Sequence, residues 1–328
     1  MTAKKTLQLA LGICVAMIFL WLSIRDTDLR QMRQSLASAS LGWFMLAFVA
    51  VILGYSCRVQ RWRLMLSDAN PSLTWRDCAG PFLASFAANN VLPFRVGDVM
   101  RAFAFNARLG TTSGIVLATV VVERMLDLLI ILAGFGAALA AFDVSSSRLV
   151  GVGGIFLIGI GAVISLALLQ PRVLGSMLRM VAHCAGEVVP RHGRAISEEM
   201  ARGAATFKHL AAGGRLGVLV LWSAVAWFLE GCAFWFAALA FTSLVAPRGG
   251  WLALPVSAFA TLIPSTPGYV GTFDYFTVLA MKTVGNDATG AALYAFCIHI
   301  VVWLPSTVAG ATYLLLRSDG FKNHGHGR

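Results

Sequence analysis

The chain has 328 residues, of which 58% are hydrophobic and only 12% charged. Soluble domains are about 45–50% apolar and about 25% charged, so a soluble enzyme, a disordered protein and a disulfide-stapled secreted domain are all excluded. Lys and Arg number 26 against 15 Asp and Glu, a net charge of +11, which fits either a nucleic-acid binder or the cytoplasmic edge of an integral membrane protein.

In chain order, residues 6–24 are uncharged and follow Lys4 and Lys5. The stretch ends in Trp21 and Leu22 with Arg25 behind them, not in a small-residue cleavage site, so it reads as an uncleaved first span. A second span covers 41–57 and stops at Arg58, Arg61 and Arg63. The apolar stretch 113–142 is a third, interrupted by Glu123, Arg124 and Asp127, and 149–169 is a fourth, closed by Pro171 and Arg172. Residues 216–245 and 288–316 are each long enough to cross with tilt.

Two other apolar stretches do not read as plain spans. Residues 77–105 carry Pro81, Asn89, Asn90, Pro93, Arg95, Asp98 and Arg101, and residues 251–284 carry Pro255, Pro264, Pro267, Gly268, Gly271 and Asp274. Each resembles two half-length helices joined by a break. Irregular backbone at membrane depth is tolerated only where protein or a water-filled cavity surrounds it. Interrupted segments of this kind in both halves of a chain point to a transport site.

Charge then sets orientation. The connector 172–215 holds seven basic residues against Glu187, Glu198 and Glu199, a net +4. Placing the N-terminus, 58–76, 172–215 and the C-terminus in the cytoplasm satisfies the positive-inside rule, with Arg25, Arg30 and Arg33 a mild violation. The expected fold class is an all-α polytopic protein of the cytoplasmic (inner) membrane, one membrane domain over 1–328. It has six full transmembrane helices and two re-entrant hairpins, 77–105 opening to the cytoplasmic side and 251–284 to the outer side. The halves, 1–171 and 216–328, form a pseudo-inverted repeat. Within the connector, Ile196, Met200, Ala204 and Phe207 share a helix face. That face suits either the inner headgroup region or a solvated link between the halves.

The chemistry-bearing residues sit at the breaks. Asn89, Asn90, Arg95, Gly97, Asp98 and Arg101 lie inside one apolar run. A helix ending at the amides and restarting near Gly97 leaves free backbone groups in the break. Arg95 and Arg101 could grip a phosphate with their planar donor forks, or lie at the inner interface among ordinary headgroups. In the second break, Pro264 and Pro267 deny backbone donors, Gly268 and Gly271 permit positive φ, and Ser265, Thr266 and Thr272 supply hydroxyls. Glu123 and Asp127 share a helix face at i, i+4, with Arg124 about 100° round from Glu123. Buried charges need partners, and Arg95 or Arg101 is the candidate for Glu123 or Asp127. Glu230 and His299 are single intramembrane ionisable residues in the second half. The six cysteines are scattered without metal spacing, no cofactor is implied, and no GxSxG, HExxH or P-loop pattern occurs. The expectation is therefore a protein that is not an enzyme. Nucleic acid is disfavoured because the basic residues edge the spans without forming a patch.

The pair NNVLPFRVGDVMRAF and IPSTPGYVGTFDYF is similar to the signature of the lysylphosphatidylglycerol synthase transmembrane region, or flippase-like domain, family. The resemblance covers nearly the whole chain. It implies a membrane part that moves lipid between leaflets, joined in the best-understood members to an aminoacyl-transferase domain. The chain ends at Arg328 without such a domain, so the expectation is translocation without synthesis. The lipid, be it phospholipid, glycolipid or polyprenyl-phosphate type, is left open. By carry-over, Asn90, Pro93, Arg95, Gly97, Asp98 and Arg101 match the first motif, and Pro264, Pro267, Gly268 and Gly271 the second. The substrate-binding set expected is these residues other than Pro264, with Asn89, Glu123, Arg124, Asp127, Ser265, Thr266 and Asp274. The expected partners are membrane lipids with a phosphate headgroup and a lipid-synthesis enzyme. Two alternatives are a polytopic transferase using Glu123, Asp127 or Asp274 as base, and a scaffold that recruits such an enzyme through 172–214.

Overall fold

The computed structural model describes residues 3–92, 95–142, 159–165, 193–261 and 267–322, and these contain helices and no strand. Helices α1 (Ala3–Ile24), α2 (Leu29–Ala37) and α3 (Leu41–Leu66) open the chain. Then come α4 (Trp75–Val91), α5 (Val96–Ala104), the single turn α6 (Asn106–Leu109) and α7 (Ser113–Ala141). The second half holds α8 (Gly193–Leu210), α9 (Gly213–Leu239), α10 (Gly250–Ala260), α11 (Thr272–Thr283) and α12 (Ala288–Lys322). Short 3-10 turns at Pro247–Gly249 and Pro267–Tyr269 precede α10 and α11.

Three of these helices are long and apolar enough to cross a membrane: Leu41–Leu66, Gly213–Leu239 and Ala288–Arg317. The expected spans 6–24 and 113–142 fall in α1 and α7, the latter carrying Glu123, Arg124 and Asp127 within it. The expected span 149–169 lies outside the described residues except for the helical stretch 159–165. The second span does not stop at Arg58 as its basic cluster suggested. Val59, Trp62, Met65 and Leu66 continue the apolar face after it, all fully buried, so α3 runs on to Leu66.

Both interrupted stretches fold as helical hairpins. The first helix of one begins with a reciprocal cap in which the Asp77 backbone N–H donates to Thr74 Oγ1 (3.3 Å) while Thr74 N–H donates to Asp77 Oδ2 (2.9 Å). In that hairpin α5 folds back on α4, and in the other α11 folds back on α10. Packing exchanges partners between the halves. Helix α3 packs on α9, α4 packs on α12, and α10 packs on α7, so each hairpin touches a long helix of the opposite half. The α4–α12 contact is close because Gly310 of α12 offers no side chain: a methyl there would overlap the Leu83 carbonyl oxygen and lie 2.6 Å from Ala87 Cβ.

Part of the apolar face of α8 is buried against protein. Phe207 and Leu210 lie in one cluster with Val122 and Leu126 of α7 and Leu219 of α9, and Ala204 is buried nearby in the chain. Glu199 Oε2 accepts from the Gly114 backbone N–H at 2.7 Å, pinning α8 to the start of α7. This part of the connector therefore packs Phe207 and Leu210 against α7 and α9. Residues 172–192 lie outside the described residues.

Gly310→Ala should lower the thermal midpoint of the detergent-solubilised protein, by the equivalent of about 1–3 kcal/mol for overpacking against backbone. At Gly217 of α9, by contrast, no atom of the described residues lies within 4 Å of where a methyl would stand. Gly217→Ala should leave the midpoint unchanged or raise it, by up to about 1 kcal/mol of helix propensity. Fluorescence-monitored thermal unfolding of both variants beside the wild type checks the pair.

Candidate functional site

The first break is built by a helix end and a left-handed residue. Helix α4 ends at Val91, Leu92 is extended, and Arg95 restarts the chain at φ 51°. Gly97 then lets α5 press on α4, since a methyl there would overlap the Ser85 carbonyl oxygen. The second break has the same ingredients. Gly268 and Gly271 take φ of 69° and 87°, and Tyr269 between them takes 59°. Arg95 and Tyr269 are the two non-glycine residues with positive φ among the described residues, one at each break. Such conformations cost free energy and tend to persist at functional sites.

The two breaks meet. Arg95 Nη2 donates to the Thr261 carbonyl at the end of α10 (3.4 Å), and a methyl on Gly268 would lie 3.3 Å from the Asn90 carbonyl oxygen. Asn90 Nδ2 donates to Thr307 Oγ1 (2.8 Å) and Ser306 Oγ (3.2 Å) of α12. Between the breaks lies a cavity of about 170 Å³. Its walls include Asn90, Thr261, Gly268 and His299, and its charged lining is Arg58, Arg124, Asp127 and Glu230.

Those charged residues belong to a larger buried network. Arg101 of α5 forms a two-pronged pair with Glu123 of α7 (3.1 and 3.2 Å) and lies over the rings of Phe82 and Trp62. Arg124 Nη2 donates to both carboxylate oxygens of Asp98 of α5 (3.0 and 3.1 Å), and Asp98 also accepts from Asn89 Nδ2 (3.1 Å). Arg61 of α3 donates to Asp127 of α7 (2.7 Å) and to Ser223 Oγ of α9 (2.6 Å), while Trp227 Nε1 donates to the same carboxylate (3.1 Å). Arg58 pairs with Glu230 of α9 and stacks 4.8 Å over Trp227. Four arginines thus meet four carboxylates, and the cluster carries no net charge. Buried ions need this arrangement, because an unpaired one would cost several kcal/mol.

Of Arg95 and Arg101, the two partners expected for Glu123 or Asp127, Arg101 pairs with Glu123; it is 0% exposed and bound through both terminal nitrogens. Its guanidinium therefore holds α5 on α7, and of the two arginines expected to face a phosphate only Arg95 lies outside the network. Glu123, Arg124, Asp127 and Asp98 are all members of the network, with Arg124 and Asp127 reaching the cavity. Gly97 sits away from the cavity lining and acts by letting the hairpin close. In the second break, Asp274 caps α11 by accepting from Gly271 N–H (2.9 Å). The His299 ring of α12 bonds Asp274 Oδ1 through Nδ1 (2.8 Å) and the Gly268 carbonyl through Nε2 (2.9 Å). Pro267 begins the turn that carries Gly268. Pro93, Pro264, Ser265 and Thr266 lie outside the described residues.

Arg58, Arg61, Ser223 and Trp227 are absent from the expected set. In sequence the two arginines read as a cytoplasmic edge. The signal that places them inside is the run of apolar residues continuing beyond them at helical spacing. Ser223 and Trp227 are ordinary residues of a membrane helix until a charge is placed opposite them.

The family described as Lysylphosphatidylglycerol synthase TM region matches this chain over residues 9–310. No curated protein and no solved structure matches it.

Arg101→Met should destabilise the protein by about 3–5 kcal/mol, the cost of leaving Glu123 buried without its main partner. Arg101→Met combined with Glu123→Leu should cost less than the two single changes added together, because the double variant removes both charges. A double-mutant cycle on thermal or denaturant unfolding in detergent measures the coupling.

Proposed function

Since the chain belongs to the lysylphosphatidylglycerol synthase TM region family, we propose that it is a flippase-like translocase. Its cargo would be a lipid with a phosphate-bearing headgroup, of phospholipid, glycolipid or polyprenyl-phosphate type. The observation that carries this reading is the meeting of two broken hairpins at one polar cavity, which gives a headgroup a place to leave hydrocarbon. In this reading the chain crosses the cytoplasmic membrane six times with both termini inside. The hairpins 77–105 and 251–284 enter from opposite faces as an inverted pair. The exchange of packing partners between the halves supports it.

Arg95 does not itself line the cavity but donates to Thr261, which does, and it is the residue assigned to the phosphate. It is half-buried, it makes no ion pair among the described residues, and its present partner is a neutral carbonyl that an anion would displace. Arg58 and Arg124 would offer further donors at the cavity wall, where Asp127 and Glu230 balance their charge. The acyl chains stay in the bilayer, and the glycines of the second break with left-handed Arg95 and Tyr269 serve as hinges. No covalent step is needed. Glu123 and Asp127 are tied to arginines and Asp274 to a helix cap and His299, which disfavours any of them as the base of a transferase. A lipid-synthesis enzyme is the partner that would deliver the cargo.

Proteoliposomes holding fluorophore-tagged phosphatidylglycerol, with dithionite added outside, test the proposal. The wild type should speed loss of the protected inner-leaflet signal. Arg95→Ala should slow it about tenfold, the equivalent of one charge-assisted hydrogen bond, with normal unfolding behaviour. Arg95→Lys should lie between. Protein-free rates for the wild type with tagged phosphatidylglycerol, glycolipid and polyprenyl phosphate alike would overturn it, as would turnover of a radiolabelled donor by the purified protein.

A further inference from the structure

A second, larger cavity of about 650 Å³ lies beside the first, between α7, α9 and α10. That volume falls within the range of ligand-sized sites, about 300–1,000 Å³. It follows α7 from Ile130 to Phe142, a rise of about 18 Å along the helix axis. Small residues make the α7 wall: Gly134, Ala137 and Ala141 leave room where larger side chains would fill it. At Gly134 no atom of the described residues lies within 4 Å of where a Cβ would stand.

Among its described residues this groove is apolar with one exception. Arg248, in the 3-10 turn that precedes α10, lines it at the same end as Phe142 and lies 5.8 Å from that ring. Arg248 is exposed and makes no ion pair among the described residues. Trp227 and Leu254 line both cavities, so only a thin wall of side chains separates the groove from the polar cavity.

We propose that the groove is a lateral binding site for one acyl chain of a membrane lipid, with Arg248 holding the phosphate of its headgroup. The apolar wall matches a hydrocarbon chain, which loses nothing by leaving the bilayer for it. The lone cation at one end matches the lipid's one obligatory negative group and sets its polarity: headgroup at the Pro247–Gly249 turn, chain end toward Trp227. A guanidinium suits this role because its fork of donors matches phosphate oxygens and it stays charged. The site deepens the translocase reading by giving the cargo a place to dock next to the polar cavity. It rests on membrane residence and not on transport itself.

Purified protein in detergent micelles, mixed with phosphatidylglycerol carrying a diazirine on one acyl chain, tests the site by photolabelling and peptide mapping. Label should concentrate in residues 130–142 and 251–255. Gly134→Leu fills the groove where there is open space, and should cut that labelling about tenfold while leaving the fold intact. Arg248→Glu should cut it by about the same factor, Arg248→Lys should largely keep it, and diazirine-tagged diacylglycerol, which lacks the phosphate, should label weakly. Excess inorganic phosphate should not compete. Labelling that is unchanged in Gly134→Leu and Arg248→Glu, or equal for diacylglycerol and phosphatidylglycerol, would overturn the proposal. Labelled grooves in a protein that moves no lipid would instead count against translocation alone, and lipid movement with unlabelled grooves would overturn this site alone.

Discussion

A charge buried among hydrocarbon must be cancelled where it stands, and in this protein that constraint ties the helices together. Each of the four arginines, three of them buried and Arg124 partly exposed, finds its carboxylate on another helix. Arg61 and Arg58 of α3 reach α7 and α9, Arg101 of α5 reaches α7, and Arg124 of α7 reaches back to α5. Because two-pronged pairing tolerates little displacement, Arg61–Asp127 and Arg101–Glu123 set the register of α3 and α5 on α7 more narrowly than packing of Leu, Ala and Val could. Their sum is neutral, so the network stabilises position without attracting counter-ions to the interior.

The two hairpins are held by different means. The first is locked by charge: Asp98 and Arg101 both lie on α5, and both are bound to α7. The second is held by backbone and a histidine. Asp274 caps α11, and His299 of α12 spans that carboxylate and the Gly268 carbonyl. With Gly268, Tyr269 and Gly271 all at positive φ, the second break stores its geometry in a few residues that can rotate. The first break has one such residue, Arg95, and that residue reaches across to α10.

Much of the site is legible in residue types alone, and the reasons are specific. Proline and glycine inside apolar runs mark breaks whatever surrounds them, so the hairpins at 77–105 and 251–284 are visible. Glu123 and Asp127 in an apolar stretch demand cationic partners, and Arg101 is among the candidates. The same logic misses Arg58 and Arg61, because a basic cluster after an apolar stretch looks the same whether the helix ends there or continues. It also assigns Asp274 and Gly97 to a ligand. A carboxylate three residues into a helix caps it, and a glycine facing another helix permits close approach, and neither role is separable from binding without the neighbouring element.

By itself the sequence determined that the chain is helical and belongs in a membrane, that each half contains an interrupted hairpin, and that a few charges must lie inside. Those conclusions depend only on local quantities: apolar length, breakers, and the cost of isolated charge. Only the tertiary structure decided which charges neutralise each other, that the two breaks close on one cavity, and that α8 packs Phe207 and Leu210 against α7. Each of those depends on residues far apart in the chain, such as Arg58 with Glu230 or Asn90 with Thr307, and no local pattern encodes which distant partner a side chain will meet.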